Sequence, residues 1–159
     1  VDSIENEADQ GAFMKILFMG ETNSVRSQLA EAVAKNIFTE QAHLESAGAH
    51  PSPVHPFAVK VLKEFGADTG LLRSKHLDEL SDDFLHDLDF VITFCPDEVC
   101  PIKLVNAKKI HWPLPDPLAG GEDENEQMER FRYTLQHIRT QLVEFGREYG
   151  VLKDGVNVH

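Results

Sequence analysis

KILFMGETNSVRSQLAEA, residues 15–32, decides how the rest of the chain is read. Ile16 to Met19 is an unbroken apolar run that ends at Gly20, the pattern of a strand buried on both faces. A polar loop of seven residues follows, Gly20-Glu21-Thr22-Asn23-Ser24-Val25-Arg26. From Ser27 to Phe38, apolar Leu29, Val33, Ile37 and Phe38 recur at helical spacing with alanines between them. A strand–loop–helix unit of this kind can aim several backbone N–H groups at one point, where the helix N-terminus adds partial positive charge. Arg26 supplies a planar fork suited to two oxyanion oxygens. Asn23 tolerates left-handed backbone geometry, and Ser24 and Ser27 can hold the loop or cap the helix. On spacing alone, an ordinary strand–helix turn carrying a surface arginine reads equally well.

Outward from this unit, strands and helices alternate. AHLESAG (42–48) reads as a second strand closed by Gly48, PSPVHP as a turn, and FAVKVLKEFG as a helix stopped at Gly66. A loop and a short helix follow in LLRSKHLDELSDDFLHDL, with Ser81 or Asp78 as its cap. DFVITFC is a third apolar strand and AKKIHW a shorter fourth. After the PLPDPLAGGEDE loop, a final helix runs from Asp123 to Tyr149, its apolar residues Met128, Phe131, Leu135, Ile138, Leu142 and Phe145 spaced by three and four. The expected fold is therefore α/β: one domain, a four-stranded parallel sheet with helices on both faces, Rossmann-like. Ligands of such sheets sit at the carboxyl ends of the strands, where Gly20, Cys95 and the Trp112–Asp116 loop can share one rim.

The 159 residues suit a single domain, and a hydrophobic content of 42% suffices for its core. Residues 1–13 are acidic and polar and read as a flexible extension, 14–150 as the folded unit and 151–159 as a tail. A net charge of −12 disfavours nucleic acid and anionic membrane as partners. No apolar run reaches the roughly 20 residues of a membrane span. Two cysteines and no export signal point to a reducing cytoplasm. No metal site is expected: the eight histidines form no HxxxH or CxxC spacing, and the acids of GGEDENEQME suit a helix start better than calcium. No cofactor motif is present.

Taken in order, the motifs resemble those of the thioredoxin-coupled arsenate reductases and, more broadly, the low-molecular-weight protein tyrosine phosphatases. That family opens with a strand, then Cys-x5-Arg-Ser, then a helix. Here the corresponding stretch is Gly20-x5-Arg26-Ser27 with Asn23-Ser24 retained. The resemblance continues through SAGAHPSPVHPFAVKVLKEFG, RSKHLDEL, DFVITFC and HWPLPDPLAGGEDENEQMERFRYTLQHI, spanning about Met14 to Phe145.

The resemblance implies a cysteine thiolate at the first loop position, ionised by the surrounding N–H groups and attacking phosphorus or arsenic. This chain has Gly20 there. Glu21 brings a carboxylate beside the anion site, opposing binding if it faces inward. Thr22 stands where the family often has glycine, which predicts a loop less free to adopt positive φ. Val25 replaces a small residue or a second cysteine. Ser24 and Ser27 are candidate alternative nucleophiles with no histidine beside them in sequence to act as base, and Glu21 can in principle form an acyl phosphate.

Asp116, in PDP, corresponds to the phosphatase general acid, vestigial without a nucleophile; read alone it is a turn aspartate. Cys95 and Cys100 correspond to the reductases' redox pair, or are two inert buried thiols. The expected function is a catalytically silent pseudoenzyme. It would bind phosphate, arsenate, sulfate or a phosphorylated partner through residues 21–27. One alternative is an arsenate reductase that uses Cys95 and Cys100 with thioredoxin or an external thiol such as glutathione. The other is a scaffold with a vestigial site.

Overall fold

The computed structural model describes residues 14–94 and 106–158. The expectations for residues 1–13 and for Cys95 and Cys100 lie outside the described residues. Strands β1 (Met14–Gly20), β2 (Ala42–Gly48), β3 (Phe90–Thr93) and β4 (Lys108–His111) form one sheet in the order β2-β1-β3-β4, with every neighbouring pair parallel. The α/β class, single domain and four-stranded parallel sheet match the sequence reading.

The continuous apolar run of β1 follows from its central place in the sheet. Ile16 and Phe18 point to one face, where they join a core built with helices α1 (Arg26–Ile37), α2 (Pro56–Phe65) and α4 (Glu124–Tyr149). Leu17 and Met19 point to the other, against Leu80, Phe84 and Leu88 around the short helix α3 (Asp82–His86). Period-two alternation therefore carries two apolar sets rather than one. All four side chains are essentially inaccessible to water.

Local signals fixed most boundaries. Gly66 ends α2 in the left-handed region at φ 96°. Asp123 caps α4 by accepting from the Glu126 N–H, so the acids there do serve the helix start. Ser81, not Asp78, caps α3, because the Phe84 N–H reaches its hydroxyl. Asp78 belongs instead to a single 3-10 turn, Leu77–Glu79, capped by His76. α2 starts at Pro56, one residue before the expected start, since Pro suits the first helical position and His55 supplies the cap. Beyond α4, Val151 is buried and the Lys153 N–H donates to the Ile37 carbonyl.

The strand order reverses at β1: β2 lies on one side and β3 on the other. The loop leaving the carboxyl end of β1 thus sits at the switch point, between the two directions in which the chain is wound. Among the described residues no helix is long and apolar enough to cross a membrane.

Candidate functional site

The loop from Gly20 to Arg26 is held from outside by segments distant in sequence. The Glu21 carbonyl accepts from the His50 N–H at 2.8 Å, and the Thr22 carbonyl from the Ser52 N–H at 2.9 Å and the Ser74 hydroxyl at 3.2 Å. The Asn23 carbonyl takes the Gln28 amide at 3.0 Å, and the Ser24 carbonyl the His55 N–H at 3.0 Å. Four consecutive carbonyls are drawn away from the loop's concave side. A trans peptide is planar with its N–H opposed to its C=O, so the N–H groups of Thr22, Asn23, Ser24 and Val25 turn the other way. Among the described residues none of these four N–H groups has a protein partner. The first turn of α1 follows directly, with its own unpaired N–H groups.

Asn23 is the keystone. At φ 50° it is the only non-glycine residue with positive φ among the described residues. Its buried amide donates to Ser27 Oγ at 2.9 Å and Ser46 Oγ at 3.0 Å, and its Oδ1 accepts from the Lys75 N–H at 2.8 Å. Ser46 in turn donates to Glu31, which holds the Lys35 ammonium at 2.6 Å. The structure decides two expectations here. Thr22 imposes no conflict, because the left-handed position falls on Asn23. Neither Ser24 nor Ser27 caps α1, whose first position is preceded by Val25 with no side-chain cap. Ser27 is instead engaged with Asn23, and Ser24 with the Thr22 hydroxyl at 2.6 Å, so both hold the loop.

A cavity of about 100 Å³ is lined by residues 20–27 together with Asp116 and Leu118. The loop residues and Asp116, some ninety positions apart, therefore share one pocket. Gly20 faces into it: a Cβ built there would lie 3.0 Å from Ser27 Oγ and 3.9 Å from the Asn23 nitrogen. Arg26 Nη1 donates to the carbonyls of Leu114 at 2.7 Å and Phe94 at 3.1 Å, which ties α1 to the ends of β3 and β4. Among the described residues Nε and Nη2 of Arg26 have no partner. Burial lowers the Arg26 pKa from its usual value, while Asp116 and then Glu21 act in the opposite sense. The guanidinium keeps its charge regardless.

Asp116 Oδ1 accepts from the Leu118 N–H at 2.9 Å. Its loop is clamped by Arg130, which donates to the Pro117 carbonyl at 2.9 Å and the Gly121 carbonyl at 2.8 Å. His55 lies close enough to feel Asp116: burial lowers its pKa and Asp116 opposes the shift. Its Nδ1 accepts from the Phe57 N–H, so the neutral ring carries its proton on Nε2.

Sequence reading missed several supports. Gln28, Arg130 and the 73–75 segment act over long separations and leave no local pattern. Gly48 had a signal, a glycine ending a strand. A Cβ there would meet the Glu21 oxygen at 2.8 Å and the Asn23 nitrogen at 2.9 Å, so only glycine lets β2 lie against the loop. Among the described residues no group of three or more His, Asp or Glu side chains is placed to hold a metal ion.

Comparison with known proteins agrees with this geometry. Residues 15–150 match the family model described as low molecular weight phosphotyrosine protein phosphatase. The chain is 33% identical over 132 residues to an arsenate reductase of Bacillus subtilis (strain 168), covering 82% of this chain and 93% of that protein. It is 38% identical over 133 residues to arsenate reductase 2 of Staphylococcus epidermidis, covering 82% and 94%. Among solved structures, an arsenate reductase in its phosphate-binding state superposes with a TM-score of 0.67 at 25% identity, over 86% of this chain and 99% of that one.

Proposed function

Because the chain belongs to the low molecular weight phosphotyrosine protein phosphatase family, we propose that it binds a tetrahedral oxyanion in the loop after β1 without performing the family's thiolate chemistry. One observation carries the binding half of this reading. Four successive carbonyls, Glu21 to Ser24, are held outward by protein donors, which leaves the opposed N–H groups unpaired beside Arg26. The phosphate-binding state recorded for a structurally similar arsenate reductase agrees with that use of the fold.

The catalytic half rests on Gly20. The position whose side chain would stand over the loop N–H groups carries none, so no covalent adduct can form there. Asp116 faces the same cavity and is vestigial as a general acid, because there is no leaving group to protonate. The names of the relatives favour a second reading, arsenate reduction in which an external thiol attacks and Cys95 and Cys100 complete the electron transfer.

Thermal unfolding in phosphate, arsenate or sulfate tests the first reading against a chloride control of equal ionic strength. One guanidinium and a loop of amides suit an affinity near the millimolar range, about −4 kcal/mol. Tens of millimolar ligand then raises Tm by mass action, and Arg26→Ala removes the rise. No rise in the wild-type protein makes the loop vestigial. Turnover of arsenate with glutathione or thioredoxin, lost on Cys95→Ser, establishes the second reading instead.

A further inference from the structure

We propose that the ligand selected by this loop carries a positive charge beside its oxyanion, as in a phosphate ester of an aminoalcohol. The inference rests on the oxyanion reading and assigns the class of ligand. It comes from the charges around the cavity. Among the described residues that line it, Arg26 is the only cation, whereas Glu21 and Asp116 are both carboxylates. Both are near enough to act on the guanidinium. The described lining side chains therefore sum to one negative charge before any ligand arrives. Part of the Arg26 fork is already committed, since Nη1 serves the Phe94 and Leu114 carbonyls. A free dianion meets the loop amides and the Nε–Nη2 edge of the guanidinium while facing two like charges.

The placement of those carboxylates suggests what offsets them. The cavity, about 100 Å³, accommodates a tetrahedral head and little else, so the remainder of a ligand must leave through the mouth. Glu21, Asp116 and Leu118 are exposed, as residues of that mouth would be, while Asn23 and Ser27 are buried at the loop's core. A cationic group attached two or three bonds from the oxyanion passes Leu118 and reaches both carboxylates. The two repulsions then become attractions, and the Leu118 side chain covers the linking methylenes. Orientation of the Asp116 carboxylate is fixed by the Leu118 N–H and by the Arg130 clamp on its loop, so it needs no ordering when ligand binds.

Three probes separate the inference from its foundation: inorganic phosphate, ethyl phosphate and O-phosphoethanolamine. They are titrated into the full chain, with amide chemical shifts of residues 20–27 as the readout, at a pH where all the phosphates are dianionic. Two exposed charge pairs amount to about a fivefold preference for O-phosphoethanolamine over ethyl phosphate. Glu21→Gln reduces that ratio to about twofold while strengthening ethyl phosphate, because it removes a repulsion from one ligand and an attraction from the other. Arg26-dependent binding of ethyl phosphate that equals or exceeds that of O-phosphoethanolamine overturns the inference and leaves the oxyanion reading intact. No shift with any probe overturns both. If Mg²⁺ raises ethyl phosphate affinity to that of O-phosphoethanolamine in the wild-type protein but not in Glu21→Gln, a bound divalent cation supplies the positive charge, and the assignment to the ligand is wrong.

Discussion

Gly20→Cys measures directly whether the loop concentrates positive potential where its geometry says it does. An added Cβ meets Ser27 Oγ at 3.0 Å, Ser27 Cβ at 3.5 Å and the Asn23 nitrogen at 3.9 Å. Only the first contact is tight, and a hydroxyl on a short side chain gives by a few tenths of an ångström. That adjustment costs about 1 kcal/mol, since Ser27 is also held by Asn23. Loss of glycine's freedom in the unfolded chain returns roughly 0.4–1 kcal/mol, so the variant folds with near wild-type stability. The introduced thiol lies over the N–H groups of residues 22–25 and beside Arg26. Thiols in such surroundings ionise at roughly 3.5–7.5 rather than about 8.5. Glu21 and Asp116 act against the shift, but both are exposed and screened. We expect a pKa at least about one unit below 8.5, worth about 1.4 kcal/mol of preference for the thiolate. Thiolate absorbance against pH reads it, as the difference between Gly20→Cys and its parent with Cys95 and Cys100 changed to serine in both. A folded variant with a pKa of about 8.5 or above refutes the reasoning, because the N–H groups then do not converge on position 20.

Asn23→Ala loses three buried hydrogen bonds and puts alanine, which tolerates the left-handed region less well than asparagine, at φ 50°, a cost of about 3 kcal/mol, with Asn23→Gly about 1 kcal/mol less severe. Urea midpoints check both, and equal costs for the two variants would remove the backbone term. Gly48→Ala drives a Cβ into the Glu21 and Asn23 backbone, lowers stability by about 2 kcal/mol and abolishes the phosphate-dependent rise in Tm; a fully retained rise would mean the loop tolerates displacement. His55 has a folded pKa below its unfolded value of about 6.5, so the folded state binds fewer protons in that window. Stability present above about pH 6.5 is therefore lost as pH falls toward the folded pKa. His55→Asn keeps a capping side chain and flattens this limb of the urea-midpoint profile; an unchanged limb assigns the titration elsewhere.

The sequence by itself determined the order of elements and most of their ends. The apolar run of β1, the three-and-four spacing of α4, the stop at Gly66 and the caps at Ser81 and Asp123 are all decided within a few residues. It also identified the loop after β1 and, through its resemblance to a family, linked Asp116 to that loop. Tertiary structure alone decided which way the loop's peptides face. His50, Ser52, His55 and Ser74 turn its carbonyls outward, and Gln28 anchors the left-handed residue to the Arg73 carbonyl. The closeness of Gly48 and the Arg130 clamp arise in the same way. Periodicity and capping are short-range effects of the chain's own dihedrals, whereas the direction of a loop peptide depends on donors brought to it from other parts of the chain, and no local pattern records which donors those are.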